Sequence, residues 1–360
     1  QRLGRENLDA IAATLQRYDV DAEFERTGAL DVATAPWQAE ELREHAETLA
    51  DMDEHVEWLD ADAVRALVDS PTYHGGLLDR TGTALVHPAK LAWALREACL
   101  RAGVRLHERS EVRSLDADGS GVLARTAYGS VRATRAALAT NVFPPLVRRV
   151  RKYVVPVWDY VLVTEPLSGD QRKSIGWKGR QGVGDAGNQF HYYRLTADNR
   201  ILWGGYDAVY HYGNGMGPGH EHDHEVYARL ASHFFETFPS LEGLRFTHRW
   251  GGAIDTCTRF CAFWGTAHGG RSAYVAGYTG LGVGATRFGA RVMLDLLDGR
   301  ESDLTSLRMV RTRPVPFPPE PLRSIGIALT RRSLARADQN EGRRNVWLRG
   351  LDRLGMGFDS

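Results

Sequence analysis

Residues Ser272 to Leu297 read SAYVAGYTGLGVGATRFGARVMLDLL: a short apolar strand, four glycines in eight residues, then an amphipathic helix. Gly277, Gly280, Gly282 and Gly284 remove side chains where the backbone turns sharply, so a ligand can approach the chain itself. The amides that open the helix face whatever negative charge lies ahead of them. Beyond them Ala285, Phe288, Gly289, Val292 and Leu296 recur at spacings of three and four, which buries one helix face. This is a unit for holding a cofactor. GLGVGA within it satisfies G-x-G-x-x-A, but a dinucleotide fingerprint also needs a following strand with an acidic residue about 20 residues on. The chain runs instead into DGRES and the proline-dense RPVPFPPEP, which completes no βαβ unit. The glycines therefore suit another part of a cofactor better than a pyrophosphate.

Composition bounds the function. At 360 residues and 43% hydrophobic content the chain can bury a large core divided between two domains. Lys plus Arg and Asp plus Glu balance at 45 each, so net charge recruits neither nucleic acid nor an anionic membrane. No apolar run reaches the roughly 18 residues of a membrane span. Cys99, Cys257 and Cys261 suit a reducing, cytoplasmic compartment better than a disulfide framework, and they lack a second pair for zinc. The run HEHDHE (220–225) carries ligand-type residues, but it reads as a solvated loop with an acidic helix start, and no metal is expected.

Periodicity places helices around Leu8 to Leu15, Leu42 to Leu49, Leu91 to Ala102 with Gly103 as the stop, and Val226 to Phe238 before Pro239. Asp60 is the expected N-cap of a further helix that Ser70-Pro71 ends. Val104–Glu108, Val112–Leu115, Val122–Thr126 and Val131–Ala139 read as short strands, with DADGSG as a turn. Tyr153–Thr164 and Ile201–Gly205 read as strands of a second sheet. After Thr312 a proline-rich segment leads into a pair of surface helices.

GYTGLGV (277–283) resembles the flavin loop of the FAD-dependent D-amino-acid oxidase and amine oxidase superfamily. Other segments match that family in its own order: TALVHPAKLAWAL (83–95), VRLHERSEVRSL (104–115), ALATN (137–141), VTEPL (163–167), YYRLTADNRILWGG (192–205) and RWGG (249–252). Within the superfamily the chain looks most like the γ-glutamylputrescine oxidase-like branch. The resemblance implies an α/β fold, in which a FAD-linked, glutathione-reductase-like nucleotide-binding domain is interleaved with an α+β substrate domain on a mostly antiparallel sheet. The implied division is 1–20, 71–150 and 248–312 for FAD, 21–70 and 151–247 for substrate, and 313–360 for a helical tail. FAD is the implied cofactor, held by Val112, by Ala139, Thr140 and Asn141, and by Gly277, Tyr278, Thr279, Gly280, Leu281, Gly282 and Val283. Family members open with a strand, a G-x-G-x-x-G loop and a helix; Gln1 falls inside what reads as a later helix. A first βαβ unit of about 30 residues is thus expected upstream, and the 360-residue chain alone is expected to hold FAD poorly.

Flavin amine oxidation moves a hydride from the carbon beside nitrogen, so the protein's task is to orient a neutral amine and exclude water. Aromatic residues suit such a site, and Tyr192, Tyr193, Tyr206, Trp250, Phe260, Trp264 and Tyr278 lie in the matching segments. Amino-acid oxidases of the superfamily clamp a carboxylate with arginines after the W-G/A-G element and in the flavin loop. Here those segments read AIDT and YT, and neither aspartate nor threonine offers a bidentate guanidinium. Asp255 suits an ammonium group or a turn cap. A small amine substrate follows, contacted by Asp255, Tyr192, Arg194, Tyr206 and Trp250. Arg194 and Arg259 keep an amino-acid substrate open.

Overall fold

The computed structural model describes residues 2–52, 54 and 56–356. Its strands are β1 (Ala29–Ala33), β2 (Val56–Asp60), β3 (Gly75–Asp79), β4 (Ser114–Asp118), β5 (Gly121–Arg125), β6 (Ser130–Ala133), β7 (Ala136–Leu138), β8 (Val155–Thr164), β9 (Gly182–Asp185), β10 (His191–Leu195), β11 (Ile201–Gly205), β12 (Phe246–Thr256), β13 (Phe263–Ala267) and β14 (Ser272–Ala276). The helices are α1 (Arg2–Arg17), α2 (Pro36–Asp51), α3 (Ala61–Leu67), α4 (Pro88–Arg101), α5 (Gly169–Ser174), α6 (His224–Thr237), α7 (Gly282–Asp298), α8 (Asp303–Ser306), α9 (Arg308–Arg311), α10 (Leu322–Gln339) and α11 (Val346–Arg353).

Eight strands form one sheet in the order β12-β8-β11-β10-β9-β1-β3-β2, antiparallel except where β1 meets β9. Alternation along each strand divides its two faces. His191, Tyr193, Leu195, Ile201 and Trp203 are buried on the face that carries α6. That helix starts where the Asp223 carboxylate accepts from the Glu225 and Val226 amides, and it buries Val226, Leu230 and Phe234 against the sheet. Trp203 meets Phe234 and Phe238 edge-on, Phe238 packs tilted against Phe234 and stacks on Trp177, and Trp177 meets Tyr193 edge-on. The opposite face presents Asp159, Tyr192 and Trp250.

A second body is the sheet β13-β14-β7, in which β14 is antiparallel to β13 and parallel to β7. Helix α7 covers it through Gly289, Val292 and Met293, and Trp264, Ala273 and Val275 complete that core. Strands β4, β5 and β6 make a separate antiparallel meander.

The caps read from sequence are present: Asp60 accepts from the Ala63 amide, and Gly103 takes φ 81° just past α4. Other expectations shift. Residues 104–108 form no strand: they pair with none of the described strands, and Val104 and Leu106 are exposed. Val131–Ala139 divides at Thr134 and Arg135 into β6 and β7, which join different sheets. Both β3 and β12 belong to the eight-stranded sheet, although the sequence division put 71–150 and 248–312 with the nucleotide domain. In the tail, the Asp338 carboxylate at the end of α10 accepts from the Asn188 and Gln189 amides before β10, and Glu320 accepts from the Tyr210 hydroxyl and the Gly213 amide.

Asp185, at the end of β9, takes the His191 amide at 3.0 Å and the Tyr193 hydroxyl at 3.2 Å. Burial pushes its carboxyl up to about 7 despite these donors. A carboxyl raised above its unfolded value favours the folded chain when protonated. That contribution is complete below about pH 4 and is lost as pH rises through about 7. Asp185→Asn removes it, so the variant's unfolding free energy minus the wild type's is expected to increase from about pH 5 to about pH 8 in urea titrations. A difference independent of pH would contradict this assignment.

Candidate active site

The glycine loop is fixed from below. Strand β14 is buried along its whole length and delivers the chain to Gly277, whose φ is 78°. A Cβ there would sit 2.9 Å from both Cβ and Sγ of Cys257, so only glycine fits. The neighbouring β12 contributes Asp255, 2% exposed, whose Oδ2 accepts from the Gly277 amide at 2.7 Å. The Thr279 amide donates to the Asp255 carbonyl at 3.2 Å, and the Cys257 amide donates to Thr279 Oγ1 at 3.3 Å. Burial raises the Asp255 carboxyl, and the loop amides from Gly277 to Thr279 partly offset this. Thr279 and Gly280 follow with φ 51° and 88°. The loop is thereby held in a shape that leaves its outer surface free.

That outer surface is open. A Cβ on Gly284 would meet nothing within 4 Å, and one on Gly280 would meet only Ile254 Cδ1 at 4.0 Å. Leu281 at the N-cap of α7 makes no side-chain cap, so the amides of Gly282, Val283 and Gly284 precede the first intrahelical bond without a capping acceptor. Leu281 and Val283 are exposed beside them. Because β7 and β14 run parallel with Leu138 opposite Tyr274, their carboxyl ends emerge together. Ala139, Thr140 and Asn141, the last with φ 50°, therefore leave the sheet next to Gly277. Such adjacent carboxyl ends are where α/β sheets bind cofactors. Val112 stands apart, just ahead of β4 on the separate meander.

The open face of the large sheet adjoins this loop. Ile254, which meets Gly280, lies two residues from Gly252, and Gly252 is the register partner of Asp159 on β8. A Cβ on Gly252 would meet nothing within 4 Å, while Trp250, two residues further, is 42% exposed. Tyr192 crosses β11 over Gly204, where a Cβ would be 2.8 Å from its ring, and its hydroxyl donates to Asp159 Oδ2 at 2.6 Å. Burial raises the Asp159 carboxyl, against the Tyr192 hydroxyl and the Tyr160 and Gly205 amides. Tyr192 is pushed far above its ordinary value by burial and by this carboxylate.

Several sequence assignments change here. Asp255, expected to contact substrate, is instead engaged with the loop backbone, accepting from the Gly277 amide. Tyr206 turns to the α6 side, stacking on His191 at 5.2 Å and meeting His233 edge-on, because Gly205 and Tyr206 with φ 95° and 68° break the strand alternation. Arg194 donates to the Val86 carbonyl, and Arg259 to the carbonyls of Met309 and Thr312. Tyr278 turns its ring into the α7 core with its hydroxyl against Gly289, leaving only backbone for the loop. Tyr193 and Trp264 are core residues. Tyr192 and Trp250 remain on the open face. Asp159, which the sequence does not single out, stands on the same face, and an aspartate amid VPVWDYVLV is the signal that marks it. Among the described residues no three His, Cys, Asp or Glu side chains group as a metal site, and no helix is long and apolar enough to cross a membrane.

Comparison with known proteins agrees with this geometry. Residues 1–296 match the DAO family model, described as FAD dependent oxidoreductase. The chain belongs to that family. It is 33% identical over 306 residues to the gamma-glutamylputrescine oxidoreductase of Escherichia coli strain K12, covering 82% of this chain and 66% of that protein. It thus spans about 66% of the length of the curated relatives it matches first. Among solved structures, the glycine oxidase of Geobacillus kaustophilus superposes with a TM-score of 0.70 at 21% identity, over 86% of this chain and 82% of that one. The glycine oxidase of Bacillus cereus ATCC 14579 gives 0.71 at 16% identity, over 87% and 84%. These likenesses establish the mixed fold with its large, mostly antiparallel sheet.

FAD is the family's cofactor, and the residues present fit it. The open Gly280 and Gly284, the uncapped α7 amides and the apolar flanks Leu281 and Val283 suit a flat ring with an electron-rich edge.

Two glycines of this one loop and helix should respond oppositely to alanine. Gly277→Ala meets Cys257 and forces a left-handed residue, so it is expected to lower unfolding free energy by about 2 kcal/mol or more. Gly284→Ala enters open space at a helical position and is expected to be neutral or stabilising by up to about 1 kcal/mol. Urea unfolding of the two variants checks this, and equal losses would contradict the loop geometry.

Proposed function

We propose that this protein oxidises the carbon–nitrogen bond of a small, polyamine-like amine, with FAD as hydride acceptor and oxygen as final acceptor. The observation that carries the amine assignment is the engagement of both candidate carboxylate clamps: Arg194 and Arg259 each donate to backbone carbonyls instead of projecting free onto the open face. An α-amino acid would leave its carboxylate without the bidentate partner such substrates need. The name of the Escherichia coli relative, gamma-glutamylputrescine oxidoreductase, supports the same reading.

The chemistry asks little of the chain beyond placement. When bound, FAD supplies a two-electron acceptor for the hydride on the carbon beside nitrogen. Trp250 and Tyr192 provide aromatic surface for the amine, and Gly252 leaves room for it. The nitrogen must lose its proton before it can be oxidised. Loss of a hydride and a proton yields an imine, which water cleaves to a carbonyl compound and ammonia or amine; oxygen takes up the two electrons as peroxide.

The second reading is an oxidase or dehydrogenase of glycine, sarcosine or a D-amino acid, favoured by the names of the structural neighbours. A third is a non-catalytic module that keeps the fold but does not hold FAD. Anaerobic mixing of the FAD-loaded full-length protein with a panel of amines, diamines and amino acids separates them. Amines are expected to bleach the visible flavin band at least about 30-fold faster than glycine, sarcosine or D-alanine. Comparable rates for those amino acids would replace the amine reading, and a protein that takes up no flavin would leave the third.

A further inference from the structure

We infer that Asp159, held in place by Tyr192, is the residue that receives the positively charged nitrogen of the substrate. The inference rests on the amine-oxidation reading above and names the group that recognises the amine.

Four observations converge on it. First, Asp159 lies on the face of the large sheet that meets the glycine loop: its register partner is Gly252, and Ile254, one step further along that face, is the residue nearest Gly280. Residues two apart on a strand are about 7 Å apart, so the carboxylate stands within a small molecule's length of the loop. Second, the space over its register partner is open, since a Cβ on Gly252 would meet nothing within 4 Å and Trp250 is exposed alongside. Third, no Lys, Arg or His side chain forms an ion pair with Asp159 among the described residues. A partly buried carboxylate without a cation is a costly arrangement that a cationic ligand relieves. Fourth, its remaining capacity suits one donor. Oδ1 accepts from the Tyr160 amide at 2.9 Å and Oδ2 from the Tyr192 hydroxyl at 2.6 Å, with the Gly205 amide also favouring the anion. A carboxylate offers about four acceptor positions, so one remains for an ammonium N–H.

Asp185 provides the contrast. It is also raised by burial, but it sits on the α6 side and takes its donors from Tyr193 and the His191 amide inside the core. Tyr192 serves as a positioning residue: its ring bridges β10 to β8 across Gly204, and its hydroxyl fixes the Asp159 rotamer. Trp250 then supplies an aromatic wall for the same cation. The recognised class is an alkylammonium whose charged nitrogen is next to the carbon to be oxidised. Before oxidation that nitrogen gives its proton to the Asp159 carboxylate: one N–H bond breaks, one O–H bond forms, and no electrons change hands.

The test uses a ligand that cannot be oxidised. tert-Butylammonium has no hydrogen on the carbon beside nitrogen, and tert-butanol is its uncharged counterpart. Binding of each to the FAD-loaded full-length protein is followed by the change in the flavin spectrum and by calorimetry. The wild type is expected to prefer the ammonium. Asp159→Asn is expected to weaken the ammonium about 30-fold or more, while shifting tert-butanol by less than about threefold. Tyr192→Phe, which keeps the ring over Gly204, is expected to weaken the ammonium selectively by about three- to tenfold. A wild type with no preference, equal losses for both ligands in Asp159→Asn, or an unchanged ammonium affinity in either variant would overturn the assignment. Should Asp159→Asn fail to fold or to hold flavin, the Tyr192→Phe result decides alone. If amines bind in this way but none reduces the flavin, the functional reading fails and the binding assignment stands.

Discussion

The hydrogen bond from the Gly277 amide to a buried Asp255 carboxylate is the constraint on which the candidate site depends. It ties the end of β14 to the end of β12, together with the Thr279 bonds to Asp255 and Cys257. Burying that carboxylate opposes ionisation, and the loop amides offset the cost. In return the chain is held through a run of positive φ at Gly277, Thr279 and Gly280 and enters α7 with its first amides uncapped. Rigid support below and open backbone above are what close approach of a flat ring requires.

The large sheet completes the site by keeping its two faces chemically distinct. On one, α6 and a set of aromatic rings close over Trp203 and Tyr193. On the other, glycines at 204 and 252 hold side chains back, and Asp159, Tyr192 and Trp250 stand in the cleared space. Because alternation has a period of two, neighbours such as Tyr192 and Tyr193 serve opposite roles. Tyr193 donates into the core network with Tyr73 and Asp185, while Tyr192 crosses to Asp159.

Much of this was legible in the sequence where local chemistry decides structure. The apolar strand, the glycines and the helical period from Ser272 to Leu297 led to the loop, and the order of the other motifs led to the fold. The rest depended on long-range partners. Residues 104–108 have strand-like composition, but a strand exists only with an edge to join. Side-chain direction was also beyond reach: Gly205 and Tyr206 leave strand geometry, which carries Tyr206 to the α6 face, and Tyr278 folds back over Gly289. Asp255 was singled out for its charge beside the W-G-G element. Its position under the loop ties it to the backbone there, while Asp159, in the middle of an apolar strand, has neighbours that make it read as core.

A crystal structure of the full-length protein with FAD bound tests the central claim most directly. The isoalloxazine ring is expected in van der Waals contact with the backbone from Gly280 to Gly282, between the α7 amides and the face that carries Ile254 and Gly252. A pyrophosphate at those amides, or a loop facing only solvent, would contradict it.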